Sequence, residues 1–127
     1  LEVPHLNDAL RAVYPVPDYQ DFFYRDAHIT YWTAEALAWL LDAVGFEASV
    51  SPYQRYGLKN HLSWILTGKP QGDPEDARKF VSPIIKGHPL APALNRIWRR
   101  MDEHYRVQLE TLGCNDSLKV IARRAEI

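Results

Sequence analysis

Long apolar runs are missing from this sequence, and no stretch approaches the roughly 20 residues that a membrane-spanning helix needs. Cysteine is nearly missing as well. The lone Cys114 excludes an internal disulfide and any zinc site built on four thiolates, and it suits a reducing compartment. Positive charge is not in surplus: 15 Lys and Arg face 16 Asp and Glu, a formal net charge of -1. No overall field therefore draws in nucleic acid or an anionic membrane. Glycine is sparse, and no two of Gly45, Gly57, Gly68, Gly72, Gly87 and Gly113 make a G-x-G turn. The five histidines include no i, i+4 pair and no Cys partner at ligand spacing, which argues against zinc. No G-x-S-x-G, P-loop or Cys/His nucleophile pattern is present.

What is there is a chain of 127 residues with a hydrophobic fraction of 46%, the size of one domain and too apolar for a disordered one. It reads as a single soluble, cytoplasmic domain, residues 1–127. Aromatic residues are plentiful, with 4 Trp, 7 Tyr and 4 Phe. Many fall outside periodic segments, where they either pad loops onto the core or line a ligand pocket.

Leu1-Glu2-Val3 is strand-like and is cut off by Pro4. Asn7 to Tyr14 is expected to form a brief helix capped by Asn7 or Asp8, with Leu10 and Val13 inward. YPVPDYQDFFYRDAHITYW follows as a long connection whose prolines oppose regular helix. Its aromatics, between Tyr19 and Trp32, mark an ordered, pocket-lining loop. TAEALAWLLDAVGF is the clearest helix. Thr33 is its N-cap, Leu37, Leu40, Leu41 and Val44 form one stripe, and Gly45 supplies a left-handed C′ position. Phe46, Ala48 and Val50 then alternate as a strand. Leu58, Leu62, Ile65 and Leu66 give a second helical stripe, ended by Gly68 and Pro70. DPEDARKFV has Asp73 as N-cap and Pro74 at N1, a helix start. A last helix is expected from about Ala91 to Leu112, with Leu94, Ile97, Trp98, Met101, Tyr105, Leu109 and Leu112 on one face. SLKVIARR closes as a strand. Arg96, Arg99 and Arg100 share the face away from Ile97 and Met101 and read first as a solvated one.

Four segments together carry a family resemblance: LEVPHLNDAL, HITYWTAEALAWLLDAVGFE, QRYGLKNHLSWILTGKP and LGCNDSLKVIARR. The chain resembles the C-terminal half of a class I S-adenosylmethionine-dependent methyltransferase, and the resemblance covers essentially its whole length. What this implies is an α/β fold, part of a Rossmann-like methyltransferase domain, with a three-stranded mixed sheet and a covering helix. Leu1 to Val3 would be the family's fifth strand, Glu47 to Tyr53 its sixth, and Ser117 to Arg123 its seventh, inserted antiparallel between them. Residues 58–112 would be a helical insert before the last strand. The glycine-rich turn and ribose-holding acid that bind the cofactor have no counterpart here, so the cofactor-binding half is expected upstream and this piece alone is expected to be inactive. The edge at Leu1 to Val3 would then be open to self-association.

The family also implies transfer of a methyl group to a small-molecule or glycan-type acceptor, with no nucleic acid and no membrane as partner. Such a transfer needs alignment and, for a hydroxyl acceptor, a base. His28 is the first candidate base, with Asp26 near enough in sequence to orient it; a loop-capping role is its alternative. His5 is the second candidate. Tyr31, Trp32, Gln54, Arg55 and Tyr56 are candidate acceptor contacts, Arg55 either as a bidentate anion clamp or as an exposed strand-end charge. The rival reading is a non-catalytic module that keeps this half of the fold and binds a ligand or a protein. A nucleic-acid-modifying enzyme is a third, for which the near-neutral charge is poor support.

Overall fold

Three segments with alternating side chains pair as β1 (Glu2–Pro4), β2 (Phe46–Tyr53) and β3 (Ser117–Arg124) in a computed structural model that describes residues 1–126. β3 lies in the middle, in the order β1-β3-β2, and runs antiparallel to both neighbours. β1 and β2 therefore point the same way, and their last residues, Pro4 and Tyr53, both pair with Ser117 at the start of β3. The expected mixed sheet is thus corrected. Because β3 separates the two co-directional strands, every hydrogen-bonded strand pair is antiparallel. The seven-stranded order that the resemblance implies is not reproduced by these three strands.

Pairing sets Val3 opposite Leu118 and Val50 opposite Val120, so one face of the sheet is apolar. Helix α3 (Ala34–Ala43) covers that face: Leu37, Leu118 and Val120 form a buried cluster, with Leu41 and Trp32 packed against it. Thr33 caps α3 as expected, accepting from the Ala36 amide at 3.2 Å. Gly45, at φ +85°, turns the chain into β2, a conformation a side chain would strain. On the opposite face Ser49 meets Ile121 and Ser51 meets Lys119, and Ile121 is 80% exposed.

A second cluster lies beside the sheet. It joins Leu10 of α1 (Ala9–Ala12), Tyr19 and Phe23 of α2 (Pro17–Phe23), and Trp64 of α4 (Leu58–Thr67). Asp8 caps α1 through a 2.9 Å bond from the Leu10 amide, but Val13 points outward, since the helix ends one residue earlier. The expected irregular loop contains α2, because Pro17 stands at the start of a helix, where its fixed φ and missing N–H do no harm.

Helix α4 turns Asn60, His61 and Trp64 inward, so the stripe of Leu62, Ile65 and Leu66 is left outside. Asp73 does accept from the amides of Glu75 and Asp76, at 2.9 Å each, yet only a short 3-10 turn follows (Asp76–Arg78). Lys79 is extended, and Pro83 disfavours helix just ahead of itself. The long helix α5 (Ala91–Thr111) likewise buries only Leu109 of its expected apolar face. Its inward side carries Asp102, Tyr105 and Arg106, which make hydrogen bonds to other elements, and that rotation leaves Ile97 and Met101 exposed.

Leu118 is 1% exposed beneath α3. Replacing it with Ala is expected to cost about 2–5 kcal/mol in urea unfolding. Ile121→Ala, on the open face, should stay within about 0.5 kcal/mol of wild type. Equal losses would mean that the second face is covered in solution.

Candidate functional site

The carboxyl ends of β1 and β2 meet at one edge of the sheet, the side on which open α/β sheets take ligands. Gln54, Arg55 and Tyr56 leave β2 there, and Asn115 and Asp116 lead into β3. The buried Asp116 carboxylate holds these segments together. It accepts from the Arg55 amide at 2.9 Å, the Tyr56 amide at 2.9 Å and the Gln54 Nε2 at 2.8 Å. Gln54 Oε1 accepts in return from the Asp116 amide at 3.0 Å. Asp8, the cap of α1, is the second buried carboxylate, and the Tyr19 hydroxyl donates to it at 2.5 Å.

Burial governs both acids. It pushes Asp8 up to about 6 against the lowering effect of the Tyr19 and Leu10 donors. Burial, followed by the charge of Asp8, pushes Asp116 up to about 7. The Tyr19 hydroxyl is raised by burial and by Asp8, so it stays a donor. Below them His61 is held neutral, its value lowered by burial and then by Arg106 to about 4. Its Nδ1 lies 2.7 Å from the Tyr105 hydroxyl, which is 2.8 Å from that of Tyr14.

Asp8, Tyr19 and Asp116 form the floor of a cleft of about 80 Å³ whose rim includes Arg25, His28 and Arg55. His28 packs edge-on against Tyr31, their rings 6.0 Å apart. Its basicity is lowered by burial and then by Arg25, so it is the neutral imidazole at pH 7. Tyr31 donates to the Phe23 carbonyl and stacks on the Phe23 ring at 4.6 Å. Arg55 pairs with Glu2 across the sheet end at 2.7 Å, with both side chains about a third exposed.

The structure therefore brings four of the sequence candidates, His28, Tyr31, Arg55 and Tyr56, to one cleft. Gln54 is not a surface contact but lies beneath the cleft, bound to Asp116. His5 is buried outside the cleft, where its Nδ1 lies 2.8 Å from the Asn115 carbonyl oxygen. Trp32 packs under α3. Asp26 is exposed, and among the described residues no hydrogen bond joins it to His28; Arg25 is the charge that acts on that ring. Sequence reasoning placed Tyr19 only in general terms, among the aromatics of a pocket-lining loop, and missed Asp116 and Arg25 as cleft residues. Asn115-Asp116 reads as an ordinary turn, and only the polarity of a segment entering a buried strand hinted otherwise.

Among the described residues no group of three His, Cys, Asp or Glu is placed to hold a metal ion, and no helix is long and apolar enough to cross a membrane. No family model matches the chain, and neither the curated proteins nor the solved structures contain a match.

Both buried acids keep their protons to higher pH when folded than when unfolded. Their stabilising effect is therefore complete below the ordinary value of 3.8 and is lost as pH rises through about 6 for Asp8 and about 7 for Asp116. His61 acts in the opposite sense, favouring the folded state increasingly from about 4 to 6.5. Comparison with Asp116→Asn isolates one group. The unfolding free energy of wild type minus that of the variant is expected to fall between pH 4 and pH 7. A difference that rises over this range would show that the hydrogen bonds outweigh burial at Asp116.

Proposed function

We propose that these residues form the acceptor-recognising part of an S-adenosylmethionine-dependent methyltransferase acting on a small-molecule or glycan-type acceptor. One observation carries this reading. A cleft lined by a neutral His, two buried acids, arginines and aromatic rings lies at the shared carboxyl end of β1 and β2. That edge is where an open α/β sheet places a substrate.

The cofactor does not fit the residues present. The connection from β1 to α1 contains no glycine, and it is filled by the buried His5 and Asp8 side chains. No backbone cradle for a nucleoside or an aminoacyl group opens there, so S-adenosylmethionine would be held by other residues of the enzyme. What this chain supplies is the acceptor's side of the reaction. Phe23, Tyr31 and Tyr56 give apolar walls, and Arg25 and Arg55 donate to acceptor oxygens. His28, neutral and half-exposed at the rim, takes the proton from an acceptor hydroxyl as its oxygen becomes the nucleophile.

The test is methyl transfer by the polypeptide purified from its native source. It is incubated with S-adenosylmethionine labelled in the methyl group and a panel of phenols, hydroxy acids and oligosaccharides. A labelled acceptor is expected, with His28→Gln slower by roughly 10²–10⁴-fold. Full activity in His28→Gln would remove the base assignment. Binding of panel members with no transfer to any of them would favour the non-catalytic module.

A further inference from the structure

A second hollow, of about 50 Å³, adjoins the cleft and shares Tyr19, Phe22, Arg25 and Tyr56 with it. One water needs only about 10–15 Å³, whereas enclosing a benzene ring takes about 150 Å³, so a ring would be held here in part, along the open side of the hollow. Phe22, Trp64, Pro70, Pro74 and Ala77 give it carbon walls. The Trp64 ring stands 5.1 Å from that of Phe22 and 5.0 Å from that of Tyr19, which makes a continuous aromatic surface.

Its polar side chains are few, and the two that carry charge, Arg25 and Arg78, only donate. Asn60, 2% exposed, lines the hollow. Its Oδ1 accepts from the Gln71 amide at 3.0 Å, which fixes the orientation of the side-chain amide, since only the oxygen accepts. The Asn60 Nδ2 makes no hydrogen bond among the described residues and keeps some accessible surface. Arg25 lies over the Phe22 ring at 4.6 Å, and Arg78 lines the same space. Neither arginine has an ion-pair partner among the described residues, and no carboxylate lines the hollow.

Two uncompensated guanidinium groups and an unused amide donor call for an anion that only accepts hydrogen bonds. The aromatic walls call for a flat ring. We infer that the hollow binds a small aryl carboxylic acid, its ring against Phe22 and Trp64 and its carboxylate on Arg25, Arg78 and the Asn60 amide. A carboxylate is the more compact of the two anions an arginine fork matches, and the hollow is small. The hollow and the cleft share Tyr19, Phe22, Arg25 and Tyr56, so a ligand on Arg25 would sit beside the cleft that His28 lines. The ligand's fate rests on the acceptor reading above; its binding does not.

Benzoate is the probe, titrated into the chain while the Asn60 side-chain amide is followed by NMR. A saturable shift is expected, and Arg78→Gln and Arg25→Gln should each weaken binding about tenfold, the size of one charge-assisted contact. Both arginines are surface groups, so the rest of the variants' spectra should stay wild type. Benzamide, without charge, and cyclohexanecarboxylate, without a flat ring, should bind more weakly by a similar factor. Absence of a saturable shift would overturn the inference, as would equal binding of either analogue or unchanged binding in both variants. Methyl transfer without benzoate binding would leave the methyltransferase reading standing and remove this one; benzoate binding without transfer would do the reverse.

Discussion

A carboxylate taken out of water must find donors, and in this protein the need of Asp116 organises the site. Its oxygens are met by two backbone amides from the exit of β2 and by the side-chain amide of Gln54. Gln54 in turn satisfies the backbone of Asp116 itself. The consequence is geometric. Separating the exit of β2 from the entry of β3 would leave this acid, Gln54 and two backbone amides without partners, a larger penalty than the loss of one ordinary hydrogen bond. Arg55 and Tyr56, which the same amides hold, are thereby fixed at the cleft.

The helices meet on polar as well as apolar terms. Aromatic packing joins α2 to α4 through Tyr19, Phe22 and Trp64. Hydrogen bonding joins α4 to α5 and to the segment after α1 through His61, Tyr105 and Tyr14. A neutral imidazole suits this place because a charged one would be buried beside Arg106. Two kinds of adhesion thus converge on the buried side of α4.

Local rules explain how much of this was legible in the sequence. Thr33, Gly45 and the β-branched stretch of β3 act through their own neighbours, and the element boundaries they imply are close to those observed. Pro17 obeys an equally local rule, but the sequence alone does not separate a proline that breaks a helix from one that begins it, as this one does. The rotation of α5 was not legible. Its apolar stripe was real, but Asp102, Tyr105 and Arg106 find partners in other elements 28 to 91 residues away, and no periodicity encodes that. The cleft divides in the same way. His28, Tyr31, Arg55 and Tyr56 were visible as chemistry in a loop and at a strand end, whereas Asp116 and Tyr19 acquire their roles only through burial.

The start of α4 shows what such distant partners entail. Gly57 offers no side-chain cap, and the Leu58 amide is capped instead by Asp102, 44 residues later in the chain. The fit is close: a Cβ at Gly57 would stand 2.4 Å from Asp102 Oδ1. Arg106 holds Asp102 at 3.0 Å and reaches the carbonyl oxygens of Arg55 and Arg78. The first turn of α4 thus takes its cap from the far end of the domain, and closing a loop of that length carries an entropy cost that a local side-chain cap would not. The setting of Asn60 and Trp64 at the hollow accordingly depends on α5 as well as on the segment that bears them.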